Sequence, residues 1–304
     1  MHILGFPLTT SRAKECFDLI QVDIWGPYSH NTCEGAKFFL TIVNDCSRAT
    51  WVHLMAHKSN AFPLLKAFII FVHNQFGIAV KMVRSDNGLE FKDKIALTFC
   101  KDRGILHQTS CVDTPQQNGV VERKHRHLLE VSRALMLQSK FPIKYWGEAL
   151  LTATYLINRM PTAVLDNLTP FEVLYKENPH YDHLKTFGCL CYAATLKRHR
   201  DKFQPRARPC VFLGYPYGQK AYKLLDLQSK QVFTSRDVQF HERVFPYHHI
   251  LPQSDIPLPA VTNFIPDFPS FRVPTQQSAS VPPFTDQAHV SMEPPSPTTP
   301  TCFT

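Results

Sequence analysis

Apolar and polar positions over the first 110 residues fall into blocks that suit a sheet with covering helices. FDLIQVDIW (17–25), KFFLTIVND (37–45) and ATWVHLMAH (49–57) are runs of β-formers, broken at Gly26–Pro27 and at Cys46–Ser47. Such short connections predict an antiparallel meander. Asn60–Phe76 reads as a mostly apolar helix closed by Gly77, the usual residue just past a helix end. Val80–Asp86 is the next strand, and the length of the crossover before it predicts that it lies parallel to the first. Leu89–Arg103 reads as a short helix stopped at Gly104, and Ile105–Ser110 as a fifth strand.

The stretch CVDTPQQNGVVERKHRHLLEVSR (111–133) organises the rest. Thr114, Pro115 and Gln117 fit N-cap, first and third helical positions, so a helix is expected to begin there or a few residues on. At 100° per residue Val120, Val121, Leu128, Val131, Ala134 and Leu135 share one arc, while Glu122, Arg126 and Arg133 share another. Taken alone, Glu122 beside Arg126 is an ordinary surface ion pair. Two further acids change that reading. Asp23 lies near the end of the first predicted strand and Asp86 at the end of the fourth, with thirty-five residues between Asp86 and Glu122. If the strands are neighbours and the helix packs across them, the three carboxylates converge. Their mutual repulsion is tolerable where hard cations, typically Mg²⁺, are held by oxygen ligands.

Further along, Ile143–Asn158 reads as an amphipathic aromatic helix with Trp146 and Tyr155 in the core, and Thr169-Pro170-Phe171-Glu172 as a capping box opening another. From Leu184 to Glu242 short β-rich runs alternate with Gly, Pro and polar turns, the pattern of a small barrel. Lys197, Arg198, Arg200, Lys202, Arg206 and Arg208 place six cations in twelve residues before Val211, either a phosphate track or a solvated linker. His248–Thr304 holds 12 of the 24 prolines and little that can pack, so an extended, disordered tail is expected.

Charge sharpens the division. The net charge is +8, yet the tail carries −3 and leaves +11 on residues 1–247, which points to a polyanionic partner and to nucleic acid ahead of membrane. No apolar stretch of membrane-spanning length and no signal-peptide pattern is present, so an intracellular, non-secreted chain is expected. Nine scattered cysteines without a Cys-x-x-Cys pair argue for free or buried thiols. Residues 1–16 show no periodicity, and no zinc site is expected.

VDIWGP with Asp23, RSDNGLEF with Asp86 and QQNGVVERKHR with Glu122 resemble the integrase core of copia-class long-terminal-repeat retrotransposons. LKTFGCLCY (184–192) and the run from Pro205 to Glu242 resemble the small SH3-like barrel that follows that core, and the likeness covers about residues 7–247. It implies an α/β fold: a ribonuclease-H-like core with a mixed five-stranded sheet and flanking helices (17–178), after an irregular segment (1–16). An SH3-like β-barrel with a basic linker (179–247) and the Pro-rich tail (248–304) would follow. It also implies that Asp23, Asp86 and Glu122 bind two Mg²⁺ or Mn²⁺ ions and catalyse DNA 3′-end processing and strand transfer. Asn87, Asn118, Arg123, Lys124, Arg126, Lys197, Arg198 and Arg200 are the nucleic-acid-binding candidates, Arg126 foremost for phosphate. The expected partners are element ends and target DNA in the nucleus, with self-association when active. In the related polyproteins a His/Cys zinc module lies upstream and a reverse transcriptase downstream; neither is visible here, so a polyprotein fragment is expected. The alternatives are a catalytically silent DNA-binding remnant and a ribonuclease H or resolvase-like nuclease.

Overall fold

The computed structural model describes residues 12–86, 88–109, 118–195, 203 and 205–248. Asn87, the loop 110–117, Lys197, Arg198, Arg200, Lys202 and the tail from 249 onward lie outside the described residues.

The antiparallel meander is β1 (Leu19–Trp25), β2 (Phe38–Asn44) and β3 (Thr50–Met55). Helix α1 (Ala61–Phe76) follows and ends at Gly77, whose φ of 65° is the left-handed turn that glycine adopts without a Cβ penalty. Then come β4 (Met82–Ser85), α2 (Leu89–Lys92), α3 (Lys94–Asp102) and β5 (Leu106–Thr109). The sheet order is β3-β2-β1-β4-β5, with β4 parallel to both β1 and β5. One helix was expected over 89–103, and two are found. Asp93 is extended at ψ 149° and serves as end of the first and cap position of the second, a place where a short acidic side chain is at home.

Strand alternation sorts β1 between two cores. Ile20 and Val22 face a cluster with Leu65, Phe68, Ile69 and Val72 of α1, while Gln21, Asp23 and Trp25 face the opposite side. That side is covered by α4 (Gly119–Ser139) and α5 (Trp146–Ile157), where Phe39, Val52, Leu128, Trp146 and Leu150 pack together. The predicted capping box opens α6 (Pro170–Tyr175): Thr169 Oγ1 accepts the Glu172 N–H at 3.0 Å, and Glu172 Oε2 accepts the Thr169 N–H at 2.6 Å.

The second sheet is antiparallel, built from β6 (Leu190–Ala194), β7 (Ala207–Gly214), β8 (Tyr222–Asp226), β9 (Val232–Ser235) and β10 (Val238–His241) in the order β10-β6-β7-β8-β9. Of the basic stretch, Arg206 and Arg208 are described, Arg206 just before β7 and Arg208 within it. The sheet packs directly on the core: Val211, Leu213 and Leu225 join Phe141, Tyr145, Ala149 and Phe187 in one apolar cluster. Thr152 Oγ1 of α5 donates to Leu213 O at 2.9 Å, and Lys223 Nζ lies 2.7 Å from Glu148 Oε1. Gly214, at φ 140°, has no room for a Cβ, which would run into Thr152 Oγ1.

Candidate active site

Parallel pairing places two of the three acids side by side. Val22 is in register with Ser85, so the next residues, Asp23 inside β1 and Asp86 just past β4, follow side by side on strands that run in the same direction. Asp86 is fixed by its own turn: Oδ1 accepts the Gly88 N–H at 3.0 Å, the local bond short acidic side chains make two residues ahead. A Cβ on Gly88 would stand 2.9 Å from that oxygen and 2.6 Å from Glu90 Oε2, so any other residue there would require one or both carboxylates to shift. Glu122 arrives from the other side of the sheet edge, on the exposed face of the first turn of α4.

The Asp23 carboxyl registers this company. It is raised to about 7, by burial first, then by the charge of Asp86 and to a lesser degree that of Glu122, while the Ile24 N–H, donating to Oδ1 at 2.8 Å, and the Lys58 ammonium pull the other way. Lys58 Nζ also lies 3.7 Å from Glu90 Oε1. Among the described residues no three His, Cys, Asp or Glu side chains are drawn together tightly enough to hold a metal ion. Asp86 and Glu122 are thus both within electrostatic reach of Asp23. Three carboxylates, one of them held near neutral by burial and like charge, form a donor set of the kind that suits a hard divalent cation.

The DNA candidates divide. Arg123 and Arg126 are exposed on α4. Lys124 is half-buried, and burial with the charge of Arg48 lowers its ammonium to about 8. Asn118 is only 2% exposed and turned inward, its Nδ2 3.5 Å from Val22 O, so it presents nothing to an external strand in this conformation. Arg208 is committed to the second sheet, donating to Asp226 Oδ2 at 3.2 Å and lying 3.8 Å over the Phe233 ring. His107, on the edge strand β5 in register with Val83, lies 2.9 Å through Nε2 from the Oγ of Ser85, the residue before Asp86.

One neighbour of the acids was not singled out from the sequence. His125 Nδ1 lies 3.7 Å from Asp23 Oδ2, with its ring against Phe39. Its signal was there: Val121, His125, Leu128 and Ser132 are all buried and share one helical stripe, so a polar ring sat at a core position inside a charged run. A cavity of about 810 Å³ lies elsewhere, lined by Trp51, Phe68, Tyr155, Arg159, Tyr175 and Tyr215, and takes no part in this arrangement.

Residues 13–115 match the integrase core domain, and residues 189–254 match the retroviral polymerase SH3-like domain; Glu122 falls beyond the first match. The fold is therefore an integrase core followed by an SH3-like sheet. The chain is 36% identical over 241 residues to the retrovirus-related Pol polyprotein from transposon TNT 1-94 of Nicotiana tabacum, covering 79% of this chain and 18% of that one. Pol polyproteins from transposons RE2 and RE1 of Arabidopsis thaliana are 34% and 35% identical over 246 and 249 residues, each covering 81% of this chain and 17% of theirs. A chain of the simian T-cell lymphotropic virus intasome in complex with PP2A regulatory subunit B56 gamma aligns at a TM-score of 0.46 and 15% identity, covering 76% of this chain and 80% of that one. The chain belongs to the copia-type retrovirus-related Pol polyprotein family. It spans less than a fifth of the length of these curated relatives. Among the described residues no helix is long and apolar enough to cross a membrane.

Proposed function

We propose that this chain is the DNA-joining part of a retrotransposon integrase, with Asp23, Asp86 and Glu122 as the residues that hold two Mg²⁺ or Mn²⁺ ions. The observation that carries the reading is the Asp23 carboxyl, raised by burial and by the charges of Asp86 and Glu122 at the C-terminal edge of two parallel strands. When bound, such ions stabilise the attacking and leaving oxygens of an in-line displacement at phosphorus. The side chains would supply position: the register that pairs Val22 with Ser85 supports Asp23 and Asp86 acting side by side, and Glu122 on α4 is within electrostatic reach of Asp23. Arg123 and Arg126, exposed on the same helix, meet the phosphate backbone. Water would open the 3′ end, and the freed 3′ hydroxyl would then exchange one phosphodiester for another in target DNA, with no covalent enzyme intermediate. Action on chromosomal DNA in the nucleus, as a homo-oligomer, belongs to the same reading.

The test is strand transfer of a labelled element end in Mn²⁺. Asp86→Asn is expected to abolish joining while DNA affinity stays near that of the parent; equal joining by the variant would refute the assignment. A catalytically silent DNA-binding remnant is the second reading, favoured by the absence of a ligand-tight group of three among the described residues. It predicts that the parent chain binds the DNA end and joins nothing.

A further inference from the structure

Three residues after Glu122, α4 has turned far enough that His125 points inward beneath the acid. The residue is 8% exposed, and its ring stands edge-on to Phe39 with centroids 5.4 Å apart at 81°. Nδ1 faces Asp23 Oδ2 at 3.7 Å, while the other oxygen of that carboxylate already accepts the Ile24 N–H at 2.8 Å. Nε2 is buried and has no partner among the described residues. A neutral imidazole carries one N–H; with a carboxylate oxygen before Nδ1 and nothing before Nε2, the proton belongs on Nδ1. The 3.7 Å approach is longer than a hydrogen bond, as contacts around a reacting group often are before the site is loaded.

We infer that His125 is a positioning residue: its Nδ1–H holds Asp23 Oδ2 while the Ile24 N–H holds Oδ1, fixing the plane in which the carboxylate meets a divalent cation. This rests on the reading of Asp23 as a metal ligand. A carboxylate free to rotate presents its lone pairs in many directions; one held at both oxygens presents them in one. The cation then binds without first stopping that rotation, which is why outer partners of ligating groups commonly matter to affinity. A ring that merely filled space against Phe39 would do so whichever nitrogen carried the proton.

The experiment measures Mn²⁺ binding to the whole chain without DNA, by the electron paramagnetic resonance of free Mn²⁺, with thermal midpoints taken in EDTA. His125→Leu is expected to lower affinity about 10–100-fold. His125→Asn puts an amide nitrogen where Nδ1 stood and is expected to stay within about threefold of the parent, whereas His125→Gln carries its nitrogen one bond too far and should fall with Leu. Asn and Gln are alike in polarity, so their difference reads the Nδ1 position apart from packing, even if the Leu variant does not fold. Asn falling as far as Gln, or all three variants binding like the parent while Asp23→Asn binds nothing, overturns the clamp and leaves the acids as ligands. A parent chain that takes up no Mn²⁺, or takes it up equally with Asp23→Asn, overturns both.

Discussion

The two sheets of this protein differ in how much buried polarity they leave unpaired. Inside the second sheet Cys189, Cys191, Ala193, Cys210, Phe212 and Leu224 are wholly buried and pack on one another, and among the described residues Arg208 Nε is its one buried side-chain nitrogen or oxygen without a partner. Beneath α4 in the core, Gln21 Oε1, Thr41 Oγ1, Asn118 Oδ1 and His125 Nε2 are all buried without a partner among the described residues, clustered around the strand that bears Asp23. Each such atom costs on the order of 1–3 kcal/mol relative to a paired one. A fold accepts that cost where geometry matters more than stability, and the less well satisfied sheet is the one that bears Asp23 and the proposed site.

Truncation in the second sheet should have the largest effect. Phe212 is wholly buried, with Tyr215, Tyr222 and Phe240 around it at centroid distances of 5.3, 5.8 and 5.6 Å. Phe212→Ala is expected to cost about 3–5 kcal/mol in urea unfolding. A loss under about 1 kcal/mol would mean that this interior is not close-packed, and the contrast between the sheets would fail.

The core should instead reveal itself through pH. Asp23 titrates near 7 when folded and near the ordinary 3.8 when unfolded, so between those values the native state holds a proton that the unfolded chain has released. Without metal, its contribution to stability is therefore complete below about 4, declines as pH rises, and is lost above about 7. Burial lowers His125 to about 4 and also lowers His53 and His107; these groups run the other way, losing stability as pH falls below about 6.5. The stability of the parent minus that of Asp23→Asn, both in EDTA, isolates the acid. That difference is expected to shrink by a few kcal/mol from pH 4 to pH 8; a flat difference would mean that neither burial nor the charges of Asp86 and Glu122 raise Asp23.

Much of the fold was legible because its signals are local. Gly77 after α1, the Thr169–Glu172 box before α6 and the acids at strand ends each depend on a few consecutive residues. What escaped depends on distant ones. Arg208 reads as one more cation in a basic run, and only the pairing of β7 with β8 brings Asp226 to it. His125 sits in the string ERKHR, where its neighbours advertise a solvated face, and it is buried only because α4 lies across β1 and β2. The seam between the sheets, where Thr152 of α5 meets Leu213 and Gly214, has no local signature at either end.

The finest test makes the same substitution on both sides of the comparison. Thr41 is wholly buried, stands opposite Asp23 across β1 and β2, and its hydroxyl has no partner among the described residues. Thr152 is 2% exposed, and its hydroxyl donates to Leu213 O at the seam. Replacing a hydroxyl by a methyl removes an unmet polar atom in the first case and breaks a bond in the second. Thr41→Val is expected to raise the unfolding free energy by about 1 kcal/mol and Thr152→Val to lower it by about as much, with unchanged denaturant slopes. If both variants lose stability, a partner must already satisfy the Thr41 hydroxyl, and the polar seam under α4 costs the fold less than the comparison requires.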